Sequence, residues 1–171
     1  MAKMSEVAVV TAAPADDIDA KTNKLIRNMS LVSAGVGLIP FPMVDMLAVG
    51  GLQVYLVREI ALLYQVPFSR DRAKALISAL VGSGAPVMLA GGAMSLVAAV
   101  PVIGQILSLA VMPTLSGAST FALGKVFNEH FKTGGTLLDF DADKMRAYYQ
   151  QQFEKGKADL AKTASGEPMA A

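Results

Sequence analysis

The sequence contains no cysteine and a single histidine, His130. The lack of cysteine excludes disulfide bonds, thiolate metal sites and cysteine nucleophiles. A lone histidine cannot form a multi-histidine metal site. His130 lies near the predicted end of a helix, where a positive charge complements the helix dipole, and we interpret it in that way.

Charge is also scarce in this chain. Charged residues make up 17% and hydrophobic residues 53% of the 171 positions, whereas a typical soluble domain has about 25% and about 45–50%. The length favours one domain. Because the formal net charge is +1, there is no basic excess that predicts a nucleic-acid partner. The composition favours contact with lipid.

The longest uncharged run covers 50 residues, from Ala75 to Gly124. An apolar helix of about 20 residues spans a bilayer core of about 30 Å, so the run is long enough for two passes. Pro101 divides it, and "VPVIGQ" predicts a turn because proline and glycine both interrupt helices. We therefore predict a hydrophobic helical hairpin. A soluble bundle is the alternative, but it would need a more polar outer face.

A second run, from Asn28 to Val57, carries one charge, Asp45. The prolines Pro40 and Pro42 divide this run into arms of about 18 and 22 Å, each shorter than the hydrocarbon core. We expect these arms to be interfacial, re-entrant or packed against the longer hairpin.

Asp45 admits three interpretations. Pro42 suits the first position of a helix, and Asp45 then lies in the first turn, where a carboxylate meets the positive end of the helix dipole. An ionisable residue in a membrane segment also suggests ion or proton handling, and a subunit contact is the third interpretation. In a pore, Asp45 and Gln53 would line a polar path.

All fifteen lysines and arginines lie in three blocks, Lys3–Arg27, Arg58–Lys74 and Lys125–Lys162. Basic residues that flank membrane segments prefer the cytoplasmic side. The N-terminus lacks the basic and apolar regions of a secretory signal, so export is not expected. We predict a bacterial inner-membrane protein whose charged segments are cytoplasmic.

Small residues recur at every fourth position in both arms of the long run. The two stripes consist of Gly91, Ser95 and Ala99, and of Ser116, Thr120 and Gly124. Such stripes allow helices to approach closely in lipid. They predict contacts that close the hairpin or join subunits into a homo-oligomer, unless they merely reflect how common small residues are in this chain.

The C-terminal part predicts an amphipathic helix. Asp141 is a suitable N-cap, and the segment before it contains Gly134 and Gly135, either of which suits the end of the preceding helix. One face of the new helix carries large or amphipathic side chains, namely Met145, Tyr148, Tyr149, Gln152 and Phe153. This face could lie on a membrane, dock a partner or cover the protein's own core. The predicted organisation is a polar segment at 1–24, a helical membrane-associated domain at 25–157 and a disordered tail at 158–171.

Two motif candidates are rejected. "GASTFALGKV" lacks the first glycine and the final Ser or Thr of a phosphate-binding loop. "DFDADK" has Lys144 where a calcium loop needs glycine and Gln150 where it needs glutamate. No catalytic residue, metal site or cofactor is predicted.

Several segments resemble the bacterial YcjF-like family, a domain of unknown function. They are "IPFPMVDMLAVGGLQ", "LYQVPFSRD", "VPVIGQ", "SGASTFALGKVFNEHFKTGGTLLDFD" and "YYQQQFEKGK", and the similarity runs from about Leu25 to Lys157. The resemblance implies a helical, membrane-associated domain that occurs fused to GTPase domains or encoded beside them. It marks Pro40, Pro42, Asp45 and Gln53 as pattern positions without assigning them a role.

The sequence thus predicts an all-α membrane protein made of hydrophobic hairpins. The predicted function is that of a non-enzymatic anchor, scaffold or membrane-remodelling partner, with the lipid bilayer and a separate GTPase as its partners. The alternatives are an oligomeric transport or pore-like protein and a soluble helical interaction module.

Overall fold

The computed structural model describes residues 15–36, 42–90, 101–166 and residue 169, and for 42–47, 83–90 and 101–110 it describes the backbone alone. Within these residues the fold is all-α, as predicted, and has no strand. The helices are α1 (Ala15–Val36), α2 (Pro42–Leu63), α3 (Arg70–Ala90), α4 (Pro101–Lys132) and α5 (Ala142–Ala164).

Local sequence determines several helix ends. Pro42 is the first residue of α2, which confirms that prediction; proline suits this position because its missing N–H is not needed there. Gly134 has a φ of 86°, and its N–H donates to the Phe131 carbonyl at 3.0 Å, just past the end of α4. Asp141 is the N-cap of α5, since its side chain accepts hydrogen bonds from the backbone of Asp143 and Lys144. These bonds, the one from Lys144 first, lower the pKa of the Asp141 carboxyl.

The prediction of a turn at "VPVIGQ" is wrong for the residues that the structure describes. Pro101 begins α4, so Gly104 and Gln105 lie inside a helix. Proline interrupts a helix less when it is the first residue, for the same reason as at Pro42. The residues of the run at 91–100 lie outside the described part of the chain.

Helix α4 is central, with α1 and α5 packed along it and α2 beside it. It runs antiparallel to α1, because Ser33 contacts Ser116 whereas Asp19 contacts Lys132. Helix α2 runs parallel to α4, because Gln53 contacts Ser119 and Tyr64 contacts Asn128. Helix α5 runs antiparallel to α4, because Tyr149 contacts Ser119 whereas Leu160 packs against Gly117. Helix α3 packs against α5 and α2 more extensively than against α4 in the described residues. The residues 91–100, which would join the arms of the predicted hairpin, lie outside them.

This arrangement gives the bundle two different ends. The N-termini of α1, α3 and α5 and the C-termini of α2 and α4 lie together and carry most of the charged residues, so we call this the charged end. The opposite, uncharged end contains 30–36, 42–51, 75–90 and 101–116, where Asp45 is the one charged residue, and it adjoins the C-terminus of α5, which carries Lys162. In the part of the chain that the structure describes, no helix has a segment long and apolar enough to cross a membrane. The predicted membrane passes are therefore not confirmed.

The core lies mainly toward the charged end and is rich in aromatic rings. Phe127 is fully buried and stacks on Phe140 with ring centroids 4.8 Å apart. Tyr149 and Phe153 bring the apolar face of α5 onto the same cluster. The C-terminal amphipathic helix thus covers the protein's own core, which was one of its three predicted roles.

The predicted segment boundaries need correction. Helix α1 begins at Ala15, so it crosses the boundary expected after residue 24, and Thr22 is fully buried. The polar composition of this segment is compatible with a helix because one face alone needs to be buried. At the other end, α5 continues to Ala164 and buries Leu160, so the tail expected from residue 158 starts too early.

Candidate functional site

A buried polar network surrounds Gln53 where α2, α4 and α5 meet. The Gln53 side chain is 5% exposed. Its Nε2 donates to Ser119 Oγ at 3.2 Å and lies 3.5 Å from Thr120 Oγ1. Ser119 Oγ is in turn 3.0 Å from the Tyr149 hydroxyl. One turn of α4 therefore connects α2 to α5 through hydrogen bonds.

The network continues into α1. Thr120 Oγ1 donates to Ser33 Oγ at 2.9 Å. Ser33 Oγ donates to the Ser116 carbonyl at 3.1 Å, and Ser116 Oγ donates to the Ser33 carbonyl at 2.9 Å. This reciprocal pair joins the two helix backbones directly. Four helices thus share one set of hydrogen bonds.

Glycine permits the close approach that this network requires. A Cβ placed on Gly117 would lie 2.9 Å from the Ser30 carbonyl oxygen and 2.7 Å from Leu160 Cδ1. A Cβ on Gly124 would lie 2.6 Å from Ile26 Cγ1. The α1–α4 and α4–α5 contacts therefore need the absence of a side chain at these positions.

The network consists of uncharged polar groups. Its members are hydroxyls and an amide, with no carboxylate, imidazole or amine among them. Burial raises the pKa of the Tyr149 hydroxyl, and the hydrogen bond with Ser119 opposes this only in part. A satisfied network of this kind rigidifies a core and defines one helix register. Among the described residues, no group of three or more His, Asp or Glu side chains is placed to hold a metal ion.

A second polar cluster attaches α1 at the charged end. Asn128 Nδ2 donates to Asp19 Oδ1 at 2.7 Å, and the Tyr64 hydroxyl donates to Asn128 Oδ1 at 2.8 Å. Lys132 Nζ lies 3.3 Å from the other Asp19 oxygen. The hydrogen bond from Asn128, followed by the interactions with Lys132, lowers the pKa of the Asp19 carboxyl against the opposing effect of burial. Burial and the charge of Asp19 raise the pKa of Tyr64.

The four pattern positions predicted from the sequence are not brought together as a reactive site. Gln53 joins the buried network. Pro42 and Asp45 lie in the first turn of α2, where the structure describes their backbone alone. Pro40 lies outside the described residues. The helix-start, ionic and subunit-contact interpretations of Asp45 all stay predictions.

The two small-residue stripes differ in what the structure describes. Gly91, Ser95 and Ala99 lie outside the described residues. Ser116, Thr120 and Gly124 all face α1, through hydrogen bonds to Ser33 and the contact with Ile26. The second stripe therefore contacts a helix of the same chain that the hairpin prediction did not consider.

Sequence reasoning missed three members of the polar network. Ser33 lies within an uncharged run, Ser119 was considered as part of a rejected phosphate loop, and Tyr149 was assigned to an apolar face. The available signal was the cluster of hydroxyl residues at 116, 119 and 120 in an apolar helix. Buried hydroxyls need partners, so such a cluster indicates a packing seam.

Apolar side chains are exposed on the uncharged end. Three large ones there are 38–49% exposed, namely Leu31, Val32 and Met112. The outer face of α3 adds small uncharged residues, Ala75, Ser78, Ala79 and Gly82. Leu62 and Leu138 are also exposed, but they lie toward the charged end.

The sequence model of a family described as "Domain of unknown function (DUF697)" matches residues 12–158. This match covers all five described helices except the last residues of α5. The chain belongs to the DUF697 family. The resemblance to a domain of unknown function that occurs alongside GTPases is thereby confirmed.

A relative of this DUF697 protein is Magnetosome membrane protein 22 of Magnetospirillum gryphiswaldense. The two are 35% identical over 168 residues, which cover 94% of this chain and 85% of the relative. No solved structure matches the chain.

Proposed function

We propose that this protein is a non-enzymatic, membrane-associated scaffold whose uncharged end contacts the bilayer. The observation that carries the proposal is the exposure of Leu31, Val32 and Met112 at an end with almost no charge. A large contiguous patch of exposed apolar side chains marks contact with a membrane or a partner, and we propose that these three side chains belong to one. The family relationship to a protein named as a magnetosome membrane protein supports the membrane.

The buried network supports a scaffold in place of an enzyme. Its polar groups satisfy one another inside the bundle, so they are not directed toward a substrate. Such a network makes the bundle rigid, as a platform for a partner requires. Because DUF697 domains occur alongside GTPases, we propose a separate GTPase as that partner, recruited at the charged end.

Two matched double variants test the membrane contact. Val32→Asp with Met112→Asp introduces charges at the uncharged end, whereas Leu62→Asp with Leu138→Asp introduces the same charges at exposed positions toward the charged end. After expression in bacterial cells, membranes are washed with high salt and then with alkaline carbonate. We expect the wild type and the second variant to stay with the membranes after the salt wash, and the first variant to be released.

Two results would overturn the proposal. Wild-type protein found entirely in the supernatant before any wash would favour the soluble interaction module. Equal retention of both double variants would show that the uncharged end is not the contact. The GTPase proposal is tested separately, by co-purification of a GTPase with the wild type from the native membrane, and recovery of no GTPase would contradict it.

A further inference from the structure

Basic side chains surround the bundle where its uncharged end begins. In four of the five described helices, the charged residue nearest that end is basic: Arg27 in α1, Lys74 in α3, Lys125 in α4 and Lys162 in α5. In α2, Asp45 lies closer to that end and Arg58 comes next. We call Arg27, Arg58, Lys74, Lys125 and Lys162 the basic border.

Contacts between the helices place three of these residues at a similar position along the axis of α4. Arg27 follows Ile26, which touches Gly124, the neighbour of Lys125. Arg58 lies between Gln53 and Tyr64, whose partners on α4 are Ser119 and Asn128. Along the axis of α4, Arg58 is therefore also close to Lys125.

The remaining two residues lie nearer the uncharged end. Lys162 follows Leu160, which packs on Gly117, about 12 Å along α4 from Lys125 at 1.5 Å per residue. Lys74 is one turn beyond Arg70, which lines a surface groove together with Arg58 and Tyr55. The border is thus a sloping ring and not a single patch.

Both parts of the bundle contain paired and unpaired cations. Toward the charged end, the pairs Lys21–Asp17, Lys132–Asp19, Lys144–Asp141 and Arg146–Asp143 measure 2.6–3.3 Å. Outside the border, four other cations have no carboxylate within 4.0 Å among the described residues, namely Lys24, Arg70, Arg72 and Lys155. Within the described residues, Arg27, Lys74 and Lys162 have no carboxylate within 4.0 Å. Arg58 pairs with Glu59, and Lys125 donates to Asn23. Three border cations are therefore available to an external anion.

We infer that the basic border binds the phosphates of an anionic lipid surface, and this inference rests on the proposed membrane contact. The border lies where headgroups would be if the uncharged end entered the bilayer. Tyr55, 47% exposed and one turn from Arg58, is of the residue type enriched at membrane interfaces. A second copy docked end to end would bring two basic rings together, and this repulsion argues against a dimer through the same surface.

A triple variant and a matched control test the inference. Arg27→Gln, Lys74→Gln and Lys162→Gln neutralise the unpaired border cations, whereas Lys21→Gln, Lys144→Gln and Arg146→Gln remove equal charge at the other end. Each protein is made by cell-free synthesis with vesicles of phosphatidylcholine alone or with about a third of phosphatidylglycerol. Flotation measures the bound fraction at several salt concentrations, and circular dichroism checks that both triple variants are helical.

We expect the wild type and the control to bind anionic vesicles better than neutral ones, and salt to weaken that preference. A basic residue near an anionic surface raises the binding affinity about fivefold, so the border variant should bind anionic vesicles on the order of 100-fold more weakly. Equal binding to both lipids, equal losses in both triple variants, or a changed oligomeric state without a change in binding would overturn the inference. Binding to no vesicle would contradict the proposed membrane contact itself.

Discussion

Two adjoining parts of α4 are both free of charge and yet differ in burial. Every residue from Gly117 to Gly124 is buried, whereas none from Val111 to Ser116 is. The first part is covered by Ile26 of α1 and Leu160 of α5. The second contains the exposed Met112. Burial therefore depends on which neighbours cover an apolar segment, and not on its composition alone.

The same difference holds for the bundle as a whole. Toward the charged end, aromatic rings fill the core and ion pairs occupy the surface. Toward the uncharged end, apolar side chains reach the surface. Burying a large apolar side chain stabilises a protein by about 1.5–3 kcal/mol, so the buried side chains toward the charged end contribute to the free energy of folding. In our proposal, the exposed side chains of the uncharged end contribute to membrane binding instead.

Replacing one large side chain by alanine in each part should show the difference in stability most clearly. Phe127→Ala removes a fully buried ring stacked on Phe140, and we expect a loss of about 3–5 kcal/mol in the free energy of unfolding. Met112→Ala, at a residue 39% exposed, should change it by about 0.5 kcal/mol or less. Urea unfolding followed by circular dichroism measures both, and losses of equal size would contradict the comparison.

Two glycines offer a matched test of packing. Gly117→Ala places a Cβ 2.9 Å from a backbone oxygen of α1, so we expect a destabilisation of about 1–3 kcal/mol. Gly82→Ala, with nothing within 4 Å of the new Cβ, should stabilise α3 by up to about 1 kcal/mol. Thermal unfolding of both variants in one buffer is the measurement. A stabilised Gly117→Ala protein would show that α1 and α4 are less closely packed.

A double-mutant cycle tests the polar network. Ser119→Ala leaves the Tyr149 hydroxyl and the Gln53 amide short of a partner, and Tyr149→Phe leaves Ser119 short of one. Each variant should therefore lower the free energy of unfolding by about 1–2 kcal/mol. The loss in the double variant should be smaller than the sum of the two single losses by about 0.5 kcal/mol or more. Ser78→Ala, at an exposed position of α3, is the control. Strict additivity in urea unfolding would mean that Ser119 and Tyr149 do not interact.

The smallest expected effect concerns pH and Asp19. Its pKa is lowered in the folded protein, so its interactions stabilise the fold above the ordinary value of 3.8 and are lost as pH falls through the lower folded value. Asp19→Asn should cost about 1 kcal/mol or less at neutral pH. It should also flatten the decrease in melting temperature below about pH 4. An unchanged acid dependence of melting would show that Asp19 does not contribute.

Much of the helical pattern could be predicted from single residues. Pro42, Gly134 and Asp141 act within one turn of the chain, through a missing N–H, a positive φ and a side-chain cap, so their effects are readable locally. The prediction of a turn at "VPVIGQ" was wrong because Pro101 is compatible with both a turn and a helix start. The choice between these depends on neighbours that no local rule supplies.

The candidate site was less predictable for a related reason. Gln53 could be singled out, but Ser33 and Tyr149 reach it from positions far along the chain. Their hydroxyls are common features of a sequence, and only the packing of four helices gives them partners. The stripe of Ser116, Thr120 and Gly124 predicted a close helix contact without identifying α1.

The sequence by itself determined the all-α class, several helix ends and the separation of charged from uncharged segments. These properties follow from backbone geometry, capping and the cost of placing charge in an apolar environment. The tertiary structure alone decided which helices share the buried network, which apolar residues are covered and which cations lack a carboxylate. Those outcomes depend on distances between residues remote in the chain, and such distances exist only after the helices have packed.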